Sequence, residues 1–162
     1  MTSKADFNAE EWSTIVEAPV LAGMRVVTAA RGGTIRESLA IAKVYAEARR
    51  HHGESELLDT LVSSPPAVDQ QQLQGAGDLG PRSDERLREA LRLIGEKGSG
   101  DDVEHYKRFV LSVAQAAAEA HKEGGFIGIG GKQVSPEEQA ALDQLRATLD
   151  AHTAAPSEPR TT

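Results

Sequence analysis

The chain has 162 residues, a formal net charge of −7 and no cysteine. Its acidic residues are spread along the sequence, so it lacks the basic face that general binding to nucleic acid or anionic membranes requires. The lack of cysteine excludes disulfides, thiolate metal sites and thiol catalysis.

At this length we expect one domain with a buried core. Hydrophobic residues make up 39% of the chain and aromatic residues only 4%, so that core must consist mainly of alanine, leucine, valine and isoleucine. Residues 1–6 lack the apolar segment of a signal peptide, and no apolar run approaches membrane-spanning length. The sequence therefore predicts a cytoplasmic protein with no transmembrane segment.

A first helix is predicted to begin close to the N-terminus. Asn8 is its expected N-cap, and Glu11 follows three residues later, as in a capping box. Phe7 and Trp12 flank this start and can pack together as a hydrophobic staple.

Pro19 is expected to interrupt this helix and restart it, because proline breaks a helix interior but is accepted in a first turn. Residues 20–30 then carry one charge and have no polar face. A helix that is apolar all round is normally central and buried. Within it, Ala22 and Gly23 would allow close contact with the alanine-rich face of the long helix predicted over 103–120.

The pair Gly32 and Gly33 is expected to end this helix, and Thr34 with Glu37 to cap another that runs to about Arg50. Its apolar residues recur at helical spacing and predict one inward stripe with a widened edge. They are Ile35, Leu39, Ala42 and Ala46 in the stripe, and Ile41, Tyr45 and Ala48 at its edge.

The middle of the chain changes in composition. Residues 54–62 predict a short helix, whereas residues 64–82 hold prolines, glycines and three consecutive glutamines. Because that segment offers little apolar surface to offset its ordering entropy, we expect a flexible linker within the domain. Ser83 is the expected N-cap of the next helix, and the polar tail 154–162 is expected to be disordered.

Two further helices are predicted on either side of a glycine-rich bend. The first is long, and Asp101 or Asp102 can cap it. Its apolar face consists of Tyr106, Phe109, Val110, Val113, Ala114 and Ala117. The second begins at the N-cap Ser135, with Pro136 in its first position and Glu138 completing a capping box.

The bend holds the candidate interaction residues. They are Gly124, Gly125, Phe126, Ile127, Gly128, Ile129, Gly130 and Gly131. Glycines before a helix can expose N–H groups to phosphate, but the spacing here matches neither Walker nor dinucleotide fingerprints. The bend is better interpreted as a reversal whose apolar side chains fill the core or a partner's groove. A mobile flap over an enzyme site is the weaker alternative.

Few residues suggest chemistry. Glu47 and His51 are four residues apart on one helical face, a spacing that can hold a metal ion, although no third ligand is evident from the sequence. A solvated helix end is the simpler interpretation. No serine has a nucleophile-elbow context and no carboxylate pair stands apart from the general scatter of acids, so we predict no catalytic residue.

Three short segments of the chain share a pattern with known sequences. They are Phe7…Glu11-Trp12, the pair Ala18-Pro19, and Glu-Gly-Gly-Phe-Ile-Gly-Ile-Gly-Gly followed by Val-Ser-Pro-Glu-Glu in 123–138. Together they resemble an uncharacterised family of small bacterial helical proteins. The resemblance covers most of the chain except the linker and implies no settled activity.

The order of an apolar helix, a glycine turn and a capped helix also resembles the TerB-like helical domains of tellurite resistance. Those domains carry an Asp-Gly turn followed by an acidic residue, and their acidic residues are thought to bind metal. Here the turn reads Arg-Gly-Gly-Thr-Ile-Arg-Glu, so Gly33 and Glu37 are the matching positions and the aspartate is absent. The resemblance implies a metal or small-ligand site, with Glu37 a candidate beside Glu47 and His51.

The sequence thus predicts a single all-α domain over residues 1–153, a bundle of about six helices with Val20–Ala30 and Val103–Ala120 at its centre. The favoured function is a non-enzymatic cytoplasmic module that acts through protein contacts, including self-association. One alternative is a TerB-like metal- or small-ligand-binding stress protein. The other is an enzyme with the bend 124–131 as its flap. No cofactor and no nucleic-acid partner are predicted.

Overall fold

The computed structural model describes residues 2–29, 35–51, 53–64, 79–122 and 134–152. Within them the chain forms a short 3-10 helix, Lys4–Asp6, and six α-helices. The α-helices are α1 (Ala9–Ala29), α2 (Ile35–Arg50), α3 (Glu56–Ser63), α4 (Leu79–Lys97), α5 (Gly100–Lys122) and α6 (Pro136–Ala151). No strand occurs in these residues, so the predicted all-α, single-domain bundle is confirmed.

Helix α1 is the central element of the bundle. From Thr14 to Val27 every residue except Glu17 is buried, as the apolar segment 20–30 predicts. The helix packs mainly against α4 and α5, while α6 and α2 contact it over smaller areas. Among the helices that the structure describes, none is both long and apolar enough to cross a membrane.

The predicted start of α1 is confirmed. The side-chain oxygen of Asn8 accepts hydrogen bonds from the main-chain N–H groups of Glu10 at 3.0 Å and Glu11 at 2.9 Å. The N–H of Asn8 donates in turn to the Glu11 carboxylate at 2.8 Å. The rings of Phe7 and Trp12 pack with their centroids 6.1 Å apart. A capping box and a hydrophobic staple therefore fix where the helix begins.

The expected interruption at Pro19 is wrong, because α1 continues through this residue. Proline has no N–H, so the carbonyl oxygen of Ile15, four residues earlier, loses its helical donor. The hydroxyl of Tyr106 in α5 donates to that oxygen at 2.7 Å. Burial raises the pKa of Tyr106 well above its ordinary value, so the hydroxyl keeps its proton and remains a donor. A side chain from another helix thus replaces the bond that the proline removes.

Replacing Tyr106 by phenylalanine would leave the Ile15 carbonyl without a donor. We expect Tyr106→Phe to lower the free energy of unfolding by about 1–3 kcal/mol. In a Pro19→Ala background the restored N–H of residue 19 can donate to the same carbonyl. There, Tyr106→Phe should lower the free energy of unfolding by clearly less. Urea denaturation of the four proteins in this double-mutant cycle measures the difference. Equal costs in the two backgrounds would contradict the proposed compensation.

Helices α1, α2 and α5 meet at Gly23. A Cβ atom built on this residue lies 2.8 Å from Cδ1 of Ile41 and 3.0 Å from Cγ1 of Val113. Contacts this short force a neighbour to move in a closely packed interior. The three helices therefore reach their spacing because residue 23 has no side chain. The expected close contact with the long helix α5 is present, but Val113 makes it rather than an alanine, and Ile41 of α2 joins it.

A leucine at position 23 should push these helices apart. We expect Gly23→Leu to lower the free energy of unfolding by roughly 1–3 kcal/mol or more, since overpacking outweighs the gain in helix propensity. Gly100→Leu is the matched control, because a Cβ atom at Gly100 has no atom within 4 Å. Thermal and urea unfolding of both variants test this difference. A Gly23→Leu protein as stable as the control would refute the close contact.

The charge in the buried part of α1 is paired. Arg25 is 8% exposed, and its guanidinium donates hydrogen bonds to Asp84 of α4 and Gln144 of α6. Thr148 of α6 donates to the same Asp84 carboxylate at 3.2 Å. An unpaired buried charge is costly, so these bonds favour one placement of α4 and α6 against α1.

Helix α4 begins earlier than predicted, because the expected linker ended at residue 82. Leu79 is the first residue of α4 and is 1% exposed, so its burial anchors this turn. Pro81 is accepted there because N–H groups in a first turn have no helical acceptor. Ser83, the expected N-cap, instead lies inside the helix and is buried. Residues 65–78 of the expected linker lie outside the described residues.

Helices α5 and α6 both begin with a capping box formed by a serine and the acidic residue three positions later. At α6 the prediction is confirmed, since Ser135 accepts from the N–H of Glu138 at 3.2 Å and its own N–H donates to the Glu138 carboxylate at 2.8 Å. At α5 the expected caps Asp101 and Asp102 are wrong. Ser99 is the cap, because its hydroxyl accepts from the N–H of Asp102 at 3.2 Å. The Asp102 carboxylate completes the box by accepting from the Ser99 N–H at 3.0 Å.

Candidate functional site

Two of the candidate ligands from the sequence are described by the structure. Glu47 and His51 are both exposed on α2. The predicted interaction residues 124–131, the tail 154–162 and the side chain of Glu37 lie outside the described part of the chain. Their roles therefore stay predictions.

Glu47 and His51 line an open groove of about 1090 Å³ between α2 and α5. Much of its wall is formed by alanines, which are Ala40, Ala42, Ala46 and Ala48 of α2 and Ala116 and Ala120 of α5. Larger apolar side chains are Leu39, Val44 and Phe109. Polar side chains at the groove are Lys43, Glu47, His51, Ser112 and Glu119. The site is thus an apolar trough with charged edges.

The groove follows from the way α2 packs on α5. The Tyr45 ring meets the Phe109 ring edge-on, with 5.0 Å between the centroids, and Ile41 lies with Val113 at the Gly23 contact. These side chains form the closed seam between the two helices. Beside the seam both helices carry alanines, and small side chains leave a trough that larger ones would fill.

Helix α2 has two apolar faces, whereas the spacing of its apolar residues predicts a single inward stripe with a widened edge. Ile41 and Tyr45 are 4% and 2% exposed, as predicted. Leu39 is 66% exposed, and Ala42 and Ala46 are exposed with it, so the predicted inward stripe is wrong at these positions. Helical residues turn by about 100° each, which separates the two sets by roughly half a turn or less. Apolar residues on two sides of one helix are thus the feature of the sequence that could have indicated a second contact surface.

The charged edge of the groove includes Lys43 and Glu47, one helical turn apart. Both are exposed, and neither forms an ion pair within the part of the chain that the structure describes. Of the three predicted metal ligands, the groove brings together Glu47 and His51. Among the described residues no three histidine, aspartate or glutamate side chains cluster closely enough to hold a metal ion.

A second polar cluster surrounds the carboxylate of Asp102, which is 8% exposed. One carboxylate oxygen accepts from the hydroxyls of Thr2 and Ser99, both at 2.8 Å, and from the Ser99 N–H. The other accepts from the hydroxyl of Ser55, the N-cap of α3, at 3.0 Å. These bonds tie the N-terminus and the starts of α3 and α5 together. We therefore assign this carboxylate a structural role.

The same bonds control the ionisation of Asp102. Burial acts to raise its pKa, but the hydrogen bonds from the N–H and hydroxyl of Ser99 and from the hydroxyls of Thr2 and Ser55 outweigh burial and lower it. A carboxyl with a lowered pKa in the folded protein stabilises the fold above its unfolded pKa. That contribution is lost as the pH falls through the folded pKa.

The variant Asp102→Asn tests this cluster. At pH 7 we expect it to lower the free energy of unfolding by about 1–3 kcal/mol, because the amide carries no charge and points an N–H group at hydroxyl and N–H donors. The difference from the wild type should shrink as the pH falls below about 4, where the unfolded chain binds a proton at this carboxyl, and should go on shrinking towards the lowered pKa of the folded protein. Urea denaturation at pH 7 and pH 3 measures it, with the exposed Asp101→Asn as control. A difference that does not change with pH would show that the charge of Asp102 is not responsible.

A third feature is the charged face of α4, where a shallow depression of about 590 Å³ is lined by charged residues. Arg92 donates to the carboxylates of Glu89 and Glu96, each at 2.6 Å. The hydrogen bond from Arg92 lowers the pKa of Glu89. Opposite charges three or four residues apart pair in this way on solvated helix faces. We interpret this surface as such a face.

Comparison with known proteins gives no relative, since no protein-family profile, curated protein or solved structure matches the chain significantly.

Proposed function

We propose that this protein is a cytoplasmic helical module that acts by binding another polypeptide rather than by catalysis. The α2–α5 groove would receive an amphipathic helix of that partner. The observation that carries the proposal is the 66% exposure of Leu39 at the edge of an alanine-lined groove.

The size and shape of the groove favour a helix over a small molecule. Pockets for small molecules usually enclose about 300–1,000 Å³ and bury most of the ligand. The groove here has a volume of about 1090 Å³ and is open, so it would not enclose a small ligand in this way. Walls rich in alanine allow the backbone of a third helix to approach closely, as helix-in-groove recognition requires.

Leu39 gives the groove a large apolar anchor. Complete burial of a leucine side chain stabilises a contact by about 1.5–3 kcal/mol relative to exposure. A single exposed leucine is ordinary on a protein surface. Leu39 differs because exposed Ala42 and Ala46 extend the same apolar surface towards the groove.

Because the chain has no cysteine, one introduced thiol can report whether the groove is occupied. We expect Ala46→Cys in the groove to react several-fold more slowly with a membrane-permeant maleimide in cells than in the dilute purified protein. Ala147→Cys, exposed on α6 away from the groove lining, is the control and should react at similar rates in both settings. Equal ratios for the two positions would refute the proposal.

A second change separates groove binding from general crowding. Adding Leu39→Glu to Ala46→Cys should restore fast labelling in cells, because the charge disfavours an apolar contact. The change lies on an exposed side chain, so the free energy of unfolding should move by no more than about 0.5 kcal/mol. Ala140→Glu, at an exposed position of α6, should leave the protection intact. Protection that survives Leu39→Glu would contradict the assigned surface.

A further inference from the structure

We infer that the helix received by the groove is α2 of a second copy of this chain, packed antiparallel about a two-fold axis. This inference rests on the proposed function and names its partner. Two-fold dimers are the commonest homo-oligomers, and their interface must be complementary to itself.

The charges on α2 meet that requirement. Lys43 and Glu47 are exposed at the groove, one turn apart on the same helix. When two copies of α2 run antiparallel with the axis near residue 45, Lys43 of each copy lies opposite Glu47 of the other. By symmetry the dimer contains two such ion pairs, and each copy contributes Lys43 to one pair and Glu47 to the other.

Within the described residues of one copy, Lys43 and Glu47 have no ion-pair partner. Within a helix the order Lys then Glu is also the less favourable one for a pair four residues apart. No described residue thus competes with another molecule for either side chain.

The same register brings in an apolar residue. Placing position 43 against position 47 sets Leu39 opposite His51 of the second copy, and His51 lines the groove. Leu39, exposed in one copy, thereby reaches a surface of the other.

Charge reversal tests this arrangement in the purified full-length chain. In Lys43→Glu every ion pair of the homodimer becomes glutamate against glutamate, and in Glu47→Lys every pair becomes lysine against lysine. We expect sedimentation velocity and light scattering to show about tenfold weaker self-association for each variant. A mixture of the two variants restores both attractive pairs in a heterodimer, so mixing should recover wild-type dimerisation. Arg88→Glu, an exposed change of equal charge on α4, should leave it unchanged.

Three results would overturn the inference. They are a wild type that stays monomeric at all concentrations, single variants that dimerise like the wild type, and a mixture that remains monomeric. If the purified protein is monomeric but Ala46→Cys is still protected in cells, the groove binds a different protein. In that case the proposed function stands and the second copy is excluded. If Ala46→Cys is unprotected as well, both proposals fail.

Discussion

The hydrogen bond from Tyr106 to the carbonyl of Ile15 replaces the helical bond that Pro19 removes, and α1 remains one helix through the proline. The rest of the bundle depends on this continuity. Gly23 and Arg25 follow the proline on the same helix, and each of them contacts a different pair of helices. Gly23 sets the distance to α2 and α5, whereas the bonds of Arg25 attach α4 and α6. A break at residue 19 would change the direction of the segment that carries both contacts.

The groove is a consequence of the same packing. Since Gly23 draws Ile41 and Val113 to one point, α2 uses its inner face for the core and keeps its other apolar face outside. The alanines beside the seam then limit how far α2 and α5 can cover each other. The groove is therefore produced by the packing that stabilises the centre, and substitutions that widen the Gly23 contact should alter the groove as well.

Local signals in the sequence predicted the starts of α1 and α6 correctly, but not those of α4 and α5. The caps at Asn8 and Ser135 involve groups within three residues of each other, so the sequence contains all the information they need. Pro19 was misread because its compensating donor is 91 residues from Ile15, and only the fold brings the two together. The outward face of α2 was missed for a related reason. Periodicity shows that a helix is apolar on two sides, but packing decides which side meets the core.

The predicted site was found only in part, since Glu47 and His51 share a groove while the bend 124–131 lies outside the described residues.

The groove differs in one physical respect from the cluster at Asp102. The fold satisfies that carboxylate with four hydrogen bonds, so it contributes to stability. Lys43 and Glu47 carry charges that the described fold leaves unpaired beside an apolar surface. In water an exposed ion pair contributes only about 0–1 kcal/mol, but partial burial weakens the screening between charges. Apolar contact at Leu39 would then supply affinity, and the two charges would select the partner and its orientation.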